Sequence, residues 1–137
     1  MDLPVGPSTH LLEAPMDRLD MLLEDIRSFV NEREFDAYHD PKNLAMAIAS
    51  EAGELTAELR WVPSQSADDH CREPEARQRI TDEIADVAIC LLMLCDRIGV
   101  DLPAAVHDKL VRTRQKYPVD PSGTPPVPPS GRFGRPA

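Results

Sequence analysis

The sequence predicts an all-α chain, a compact four-helix bundle completed by oligomerisation. Three observations lead there. Apolar residues recur at helical spacing in four separate segments. Asp, Pro and Gly residues sit where such segments start and stop, as at Asp17, Pro41, Gly99 and Asp101. The run Ile84–Cys95 is apolar nearly all round, so its helix must be covered on several sides, by other helices of this chain or of a second subunit.

The first helix is expected over Asp17–Glu32, where Leu19, Leu22, Leu23, Ile26, Phe29 and Val30 recur at helical spacing and Asp17 can cap the start. The segment Phe35–Asn43 breaks that pattern, and Asp40-Pro41 marks a turn into the second helix. Phe35, Tyr38 and His39 cluster just before this start. They read either as loop packing with a capping histidine or as an aromatic pocket for a flat ligand. Lys42 reads as a solvated lysine, with a phosphate contact as the lesser alternative.

The second helix runs to about Arg60, with an apolar stripe of Leu44, Ile48, Ala52, Leu55 and Leu59. Glu51, Glu54 and Glu58 form a neighbouring acidic stripe, with Gly53 among them as a point of close helix approach. Trp61 and Pro63 close the helix, Trp61 as a core plug or a stacking surface. Ser64–Glu73 is a polar loop with no fold expected of its own, and Asp68, Asp69, His70 and Cys71 within it are a weak metal signal.

The third helix is expected from Pro74 to Arg97, polar at first and then apolar, with Gly99 as its C-terminal cap. Asp101 caps a fourth, with Pro103 in its first turn. Lys109, Arg112, Arg114 and Lys116 give that helix a basic run, which either complements the helix C-terminus or meets phosphate. Residues 1–16 read as a flexible arm containing an exposed His10, 17–118 as the domain, and 119–137 as a disordered tail rich in Pro and Gly.

At 137 residues the chain fits one domain. Its net charge of -9 disfavours nucleic-acid polymers, yet leaves room for a small phosphorylated ligand once bound magnesium reverses the local sign. It has no apolar run of about 18 residues, so no membrane partner is expected. The opening residues do not resemble a secretory signal, and three cysteines without a CxxC read as reduced thiols. Together these features predict a cytoplasmic protein.

The chemistry is expected to lie in two carboxylate pairs. Glu51 shares a helix face with Glu54, and Glu83 with Asp86, which opens the apolar run and is expected to be buried. Packed side by side, four such acids repel one another and raise their pKa values unless a hard divalent ion joins them. Magnesium fits, with manganese as substitute. Glu58 and Asp82 are reserve acids. The alternative is two solvated charge stripes. A GxxxxGK[ST] loop and a GxSxG elbow are both absent, which disfavours P-loop NTPase and nucleophilic esterase chemistry.

The segments YHDPKNL, SEAGELTAELRW, DEIADVAICLL and VDLPAAVHDKLVRTRQKYP, in this order, resemble the MazG-like all-α nucleoside triphosphate pyrophosphohydrolases, especially the dCTP pyrophosphatase branch. The resemblance implies cleavage between the alpha and beta phosphates, giving a nucleoside monophosphate and pyrophosphate. It implies Glu51, Glu54, Glu83 and Asp86 as magnesium ligands, with one glutamate also positioning or deprotonating the attacking water. It implies Lys109 as a phosphate contact, with Arg112 and Lys116 beside it. Phe35 and Trp61 fall where that branch places aromatic residues around the base, and His39 belongs to the same segment. Thr113 stands where the family often has asparagine, and Cys90 where the branch can carry tyrosine. These two departures bear on base preference more than on the metal quartet. The family also implies a homodimer or homotetramer. The rival reading is a non-catalytic helical dimerisation module whose proline-rich tail recruits a partner.

Overall fold

The computed structural model describes residues 17–123, all of whose regular elements are helical. Helix α1 spans Arg18–Glu32, α2 Pro41–Leu59, α3 the single turn Ala67–His70, α4 Pro74–Ile98 and α5 Leu102–Lys116. Short 3-10 turns occupy Phe35–Tyr38 and Ser64–Ser66. The expected arm lies outside the described residues, and so does the tail beyond Gly123.

Local chemistry sets the helix ends. Asp17 Oδ1 accepts hydrogen bonds from the amides of Leu19 at 2.8 Å and Asp20 at 2.9 Å. Asp40 does the same for Asn43, and Asp101 for Ala104, each at 2.9 Å. Each cap satisfies an amide that the first turn leaves without a partner. Gly99 ends α4 with φ at 68°, a left-handed conformation that suits glycine. The amide of Val100 then bonds Cys95 O at 2.8 Å, and that of Gly99 bonds Asp96 O at 3.3 Å, the paired bonds that close a helix C-terminus.

Helices α2 and α4 form the principal pair and run antiparallel. Leu44, early in α2, lines a cavity with Met93 and Arg97, late in α4. Glu58, late in α2, pairs with Arg79, early in α4. Helix α1 packs on the C-terminal half of α4 through a cluster of Ile26, Val30 and Leu92, with Leu19, Leu23, Met93 and Leu102 against it. Arg27 ties the same two helices by pairing with Asp96 as well as Glu24.

Four long helices stand where the periodicity places them and form an all-α bundle, with apolar surface left uncovered within one chain. No side chain of α5 is fully buried, and only Leu102 at its start packs against the α1–α4 cluster. Large apolar side chains also remain exposed on α1, α4 and α5, among them Leu22, Phe29, Ile84, Leu91, Ile98, Val106 and Leu110.

Three expectations need correction. The polar loop 64–73 does carry structure: Asp68 and Asp69 suit the N-terminal turn of α3, and Arg72 pairs with Asp69 at 2.7 Å. Gly53 marks no close approach, because a Cβ there would meet nothing within 4 Å. Asp86 is exposed rather than buried, because its apolar neighbours Ile84 and Ile89 are themselves uncovered in the single chain.

Candidate metal centre

Helical spacing and antiparallel packing bring acids of α2 and α4 face to face. Glu51, Glu83 and Asp86 each offer an oxygen within 4.8 Å of the others. Glu54 lies outside this triad, on the exposed side of α2. It still acts on it. The carboxyl of Glu83 is held above its ordinary value of 4.5, first by loss of water contact, then by the negative charge of Glu54, then by Asp86, Glu51 and Glu58.

Burial is concentrated at one atom. Glu83 Oε2 is shielded from solvent and has no hydrogen-bond partner among the described residues. A carboxylate oxygen in that position is costly unless a cation meets it. No arginine pairs with it among the described residues, and several are engaged elsewhere. Arg27 pairs with Glu24 and Asp96, Arg97 with Asp36, Arg72 with Asp69, and Arg79 with Glu58. Among the described residues no basic side chain pairs with Glu51, Glu54, Glu83 or Asp86. The donor set is all carboxylate oxygen, which matches a hard divalent cation. This cluster has the composition and spacing to coordinate a metal ion.

The reserve acids are committed to other partners. Glu58 Oε2 accepts from Arg79 Nε at 2.9 Å, and Asp82 accepts from Gln78 at 2.9 Å. Sequence reading did not single out Arg79. The available signal was its place four residues before Glu83, matching that of Glu58 four residues after Glu54. Cys90 borders the centre, its thiol pushed up by burial and then by the charges of Glu51 and Asp86.

The candidate base contacts are split between the two ends of α2. Phe35 and His39 stand before the helix with ring centroids 6.1 Å apart, edge to face, and Phe35 meets Phe29 in the same way at 6.2 Å. His39, Asp36, Leu44, Met93 and Arg97 line a cavity of about 70 Å³. Trp61 lies beyond the other end. It is 84% exposed, with the Arg60 guanidinium 5.5 Å from its ring centre, so within the chain it plugs no core. The 19 residues of α2 separate these groups by about 28 Å at the usual rise per residue. One base cannot touch both within a single chain. Lys109, Arg112 and Lys116 are exposed on α5, Lys116 lying 5.5 Å from the Tyr117 ring, and no hydrogen bond or ion pair among the described residues joins them to the acids.

The repulsion at Glu83 has a measurable consequence. A carboxyl raised in the folded state carries no penalty below the unfolded value, near 4.5, and its full penalty once pH exceeds the folded value. Without divalent ions, Glu83→Gln should therefore melt at a higher temperature than wild type at about pH 8. The gap should close as pH falls toward 4.5. Magnesium should stabilise wild type and leave the variant less affected. Paired melting curves check this, and a gap independent of pH would contradict it.

The model of the MazG-like family matches residues 48–124, a span that holds all four acids. The chain is 39% identical to rat dCTP pyrophosphatase 1 over 101 residues, 71% of this chain and 59% of that protein. It is 37% identical to the human dCTP pyrophosphatase 1 over 100 residues, 70% of this chain and 59% of that one. It thus spans about 59% of these relatives' length. A crystal structure of a pyrophosphatase from Archaeoglobus fulgidus superimposes with a TM-score of 0.72 and 34% identity, covering 78% of this chain and 98% of that one. This chain therefore belongs to the MazG-like family. Within the family its likeness is to the dCTP pyrophosphatase branch.

Proposed function

We propose that this protein is a magnesium-dependent hydrolase that cleaves (deoxy)nucleoside triphosphates between the alpha and beta phosphates, with dCTP or a modified dCTP as the favoured substrate. The observation that carries the reading is a shielded Glu83 oxygen with no partner among the described residues, on a carboxylate that clusters with those of Glu51 and Asp86. The dCTP pyrophosphatases it resembles support the substrate class.

In this reading Glu51, Glu54, Glu83 and Asp86 hold the ion, with Glu54 turning in from the rim. Bound there, magnesium supplies positive charge to the polyphosphate and lowers the pKa of water. Manganese is the expected substitute. Glu51 or Glu54 accepts the proton of the attacking water, a role open to a carboxylate within hydrogen-bond reach. Phe35 and His39 pack the base from the α1 side. Lys109, with Arg112 and Lys116, meets phosphate oxygens from α5.

The same reading requires a second copy of the chain. Ile84, Leu91 and Ile98 form an exposed stripe on α4 at seven-residue spacing, and Leu22 and Phe29 repeat that spacing on α1. Burying such stripes favours a homodimer or homotetramer. A second copy also supplies the only route by which Trp61 reaches a base held at Phe35. In this reading the catalytic unit is residues 17–118.

A panel of nucleoside triphosphates, assayed with magnesium for pyrophosphate against orthophosphate, tests the proposal. Pyrophosphate plus a nucleoside monophosphate is expected, fastest from a cytosine deoxynucleotide. Orthophosphate as first product contradicts it. No turnover and no divalent-ion binding would favour the non-catalytic interaction module.

A further inference from the structure

The α2–α4 face continues past the four acids. Counted toward the C-terminus of α2, its facing positions pass from Glu51, Glu83 and Asp86 to Glu58 and Arg79. Arg79 precedes Glu83 by one helical turn, about 6 Å along the axis. Its Nε donates to Glu58 Oε2 at 2.9 Å, and neither Nη group has a partner among the described residues. The side chain is 52% exposed, against 24% for Glu58. One edge of the guanidinium is thus held by Glu58, and the other carries no partner among the described residues, one helical turn from Glu83.

The direction of a bound triphosphate follows from the opposite end. The cavity with His39, Leu44, Met93 and Arg97 lies on the far side of the four acids from Arg79. With a base there and the alpha phosphate at the acids, the beta and gamma phosphates extend toward Arg79. A guanidinium fork suits two phosphate oxygens at once. The other flank of Arg79 faces a depression shared with His70, Glu73 and Glu75. The two acids there have no proposed cation to offset them, whereas magnesium would offset those around Glu83, which favours the side toward Glu83.

We propose that Arg79 binds the beta and gamma phosphates of the substrate, and the pyrophosphate product, through its two Nη groups, with Glu58 holding the guanidinium by Nε. This inference rests on the pyrophosphohydrolase reading above and adds the site that receives the leaving group.

Product inhibition of the full-length protein in magnesium tests it. Arg79→Gln should raise the inhibition constant for pyrophosphate on the order of 10-fold. It should leave that for the nucleoside monophosphate within about twofold. Glu58→Gln, which keeps an acceptor for Nε and removes the competing charge, should bind pyrophosphate at least as tightly as wild type. Arg79→Lys, which keeps charge without the fork, should fall between wild type and Arg79→Gln. An unchanged pyrophosphate constant in Arg79→Gln overturns the inference. So does equal weakening of both products in Arg79→Gln and Glu58→Gln, the mark of a purely structural salt bridge. A wild-type protein that releases no pyrophosphate from any triphosphate overturns the underlying reading as well. Pyrophosphate release by wild type with no selective change in the variants overturns this inference alone.

Discussion

Asp86→Asn, Glu83→Gln and Glu51→Gln should each reduce turnover on the order of 100-fold or more while leaving the chain folded. Each change is nearly isosteric, so packing barely alters. What disappears is one negative charge from a group whose oxygens lie within 4.8 Å of two other acids. In the protein without metal that charge is a liability, as the raised Glu83 carboxyl records. Its removal should hold or raise the metal-free melting temperature. Loss of activity joined to retained stability is the signature of residues placed for a cation rather than for the fold. Loss of both would mark them as structural. Glu54→Gln tests the proposed inward turn of the fourth acid, and activity equal to wild type would remove it from the set.

Leu92→Ala should cost about 2–5 kcal/mol of folding stability. Leu92 is 4% exposed and packs with Ile26 and Val30 where α1 crosses α4. Truncation removes buried methyl groups and leaves a cavity in a small core that has few neighbours able to close it. Denaturant titration should show a lower midpoint with an unchanged slope. Leu110→Ala is the contrast. Its side chain is exposed on α5, a helix with no fully buried side chain. A loss of single-chain stability as large as that of Leu92→Ala would contradict the observed packing.

The legible parts of the fold were those governed by neighbours in sequence. Asp17 and Asp101 cap their helices, and Gly99 ends α4, because caps depend on residues within one turn; Asp40, read only as part of a turn, caps α2 in place of the histidine expected there. The convergence of Glu51, Glu83 and Asp86 was also legible, since the helical period fixes which acids share a face. Exposure was not. Whether Asp86 is covered depends on what packs beside Ile84 and Ile89, and sequence period cannot supply that. The Glu58–Arg79 pair joins residues far apart in the chain, so it emerges only when α2 and α4 lie antiparallel. The separation of Phe35 from Trp61 follows from the length of α2, and the resemblance that groups them does not say how many chains build one base pocket.

The most direct measurement of the central claim is anomalous diffraction from crystals soaked in manganese. A peak is expected within ligand distance of Glu51, Glu83 and Asp86, with Glu54 rotated inward to complete the set. A peak elsewhere, or none at these acids in any subunit of the assembly, would contradict it.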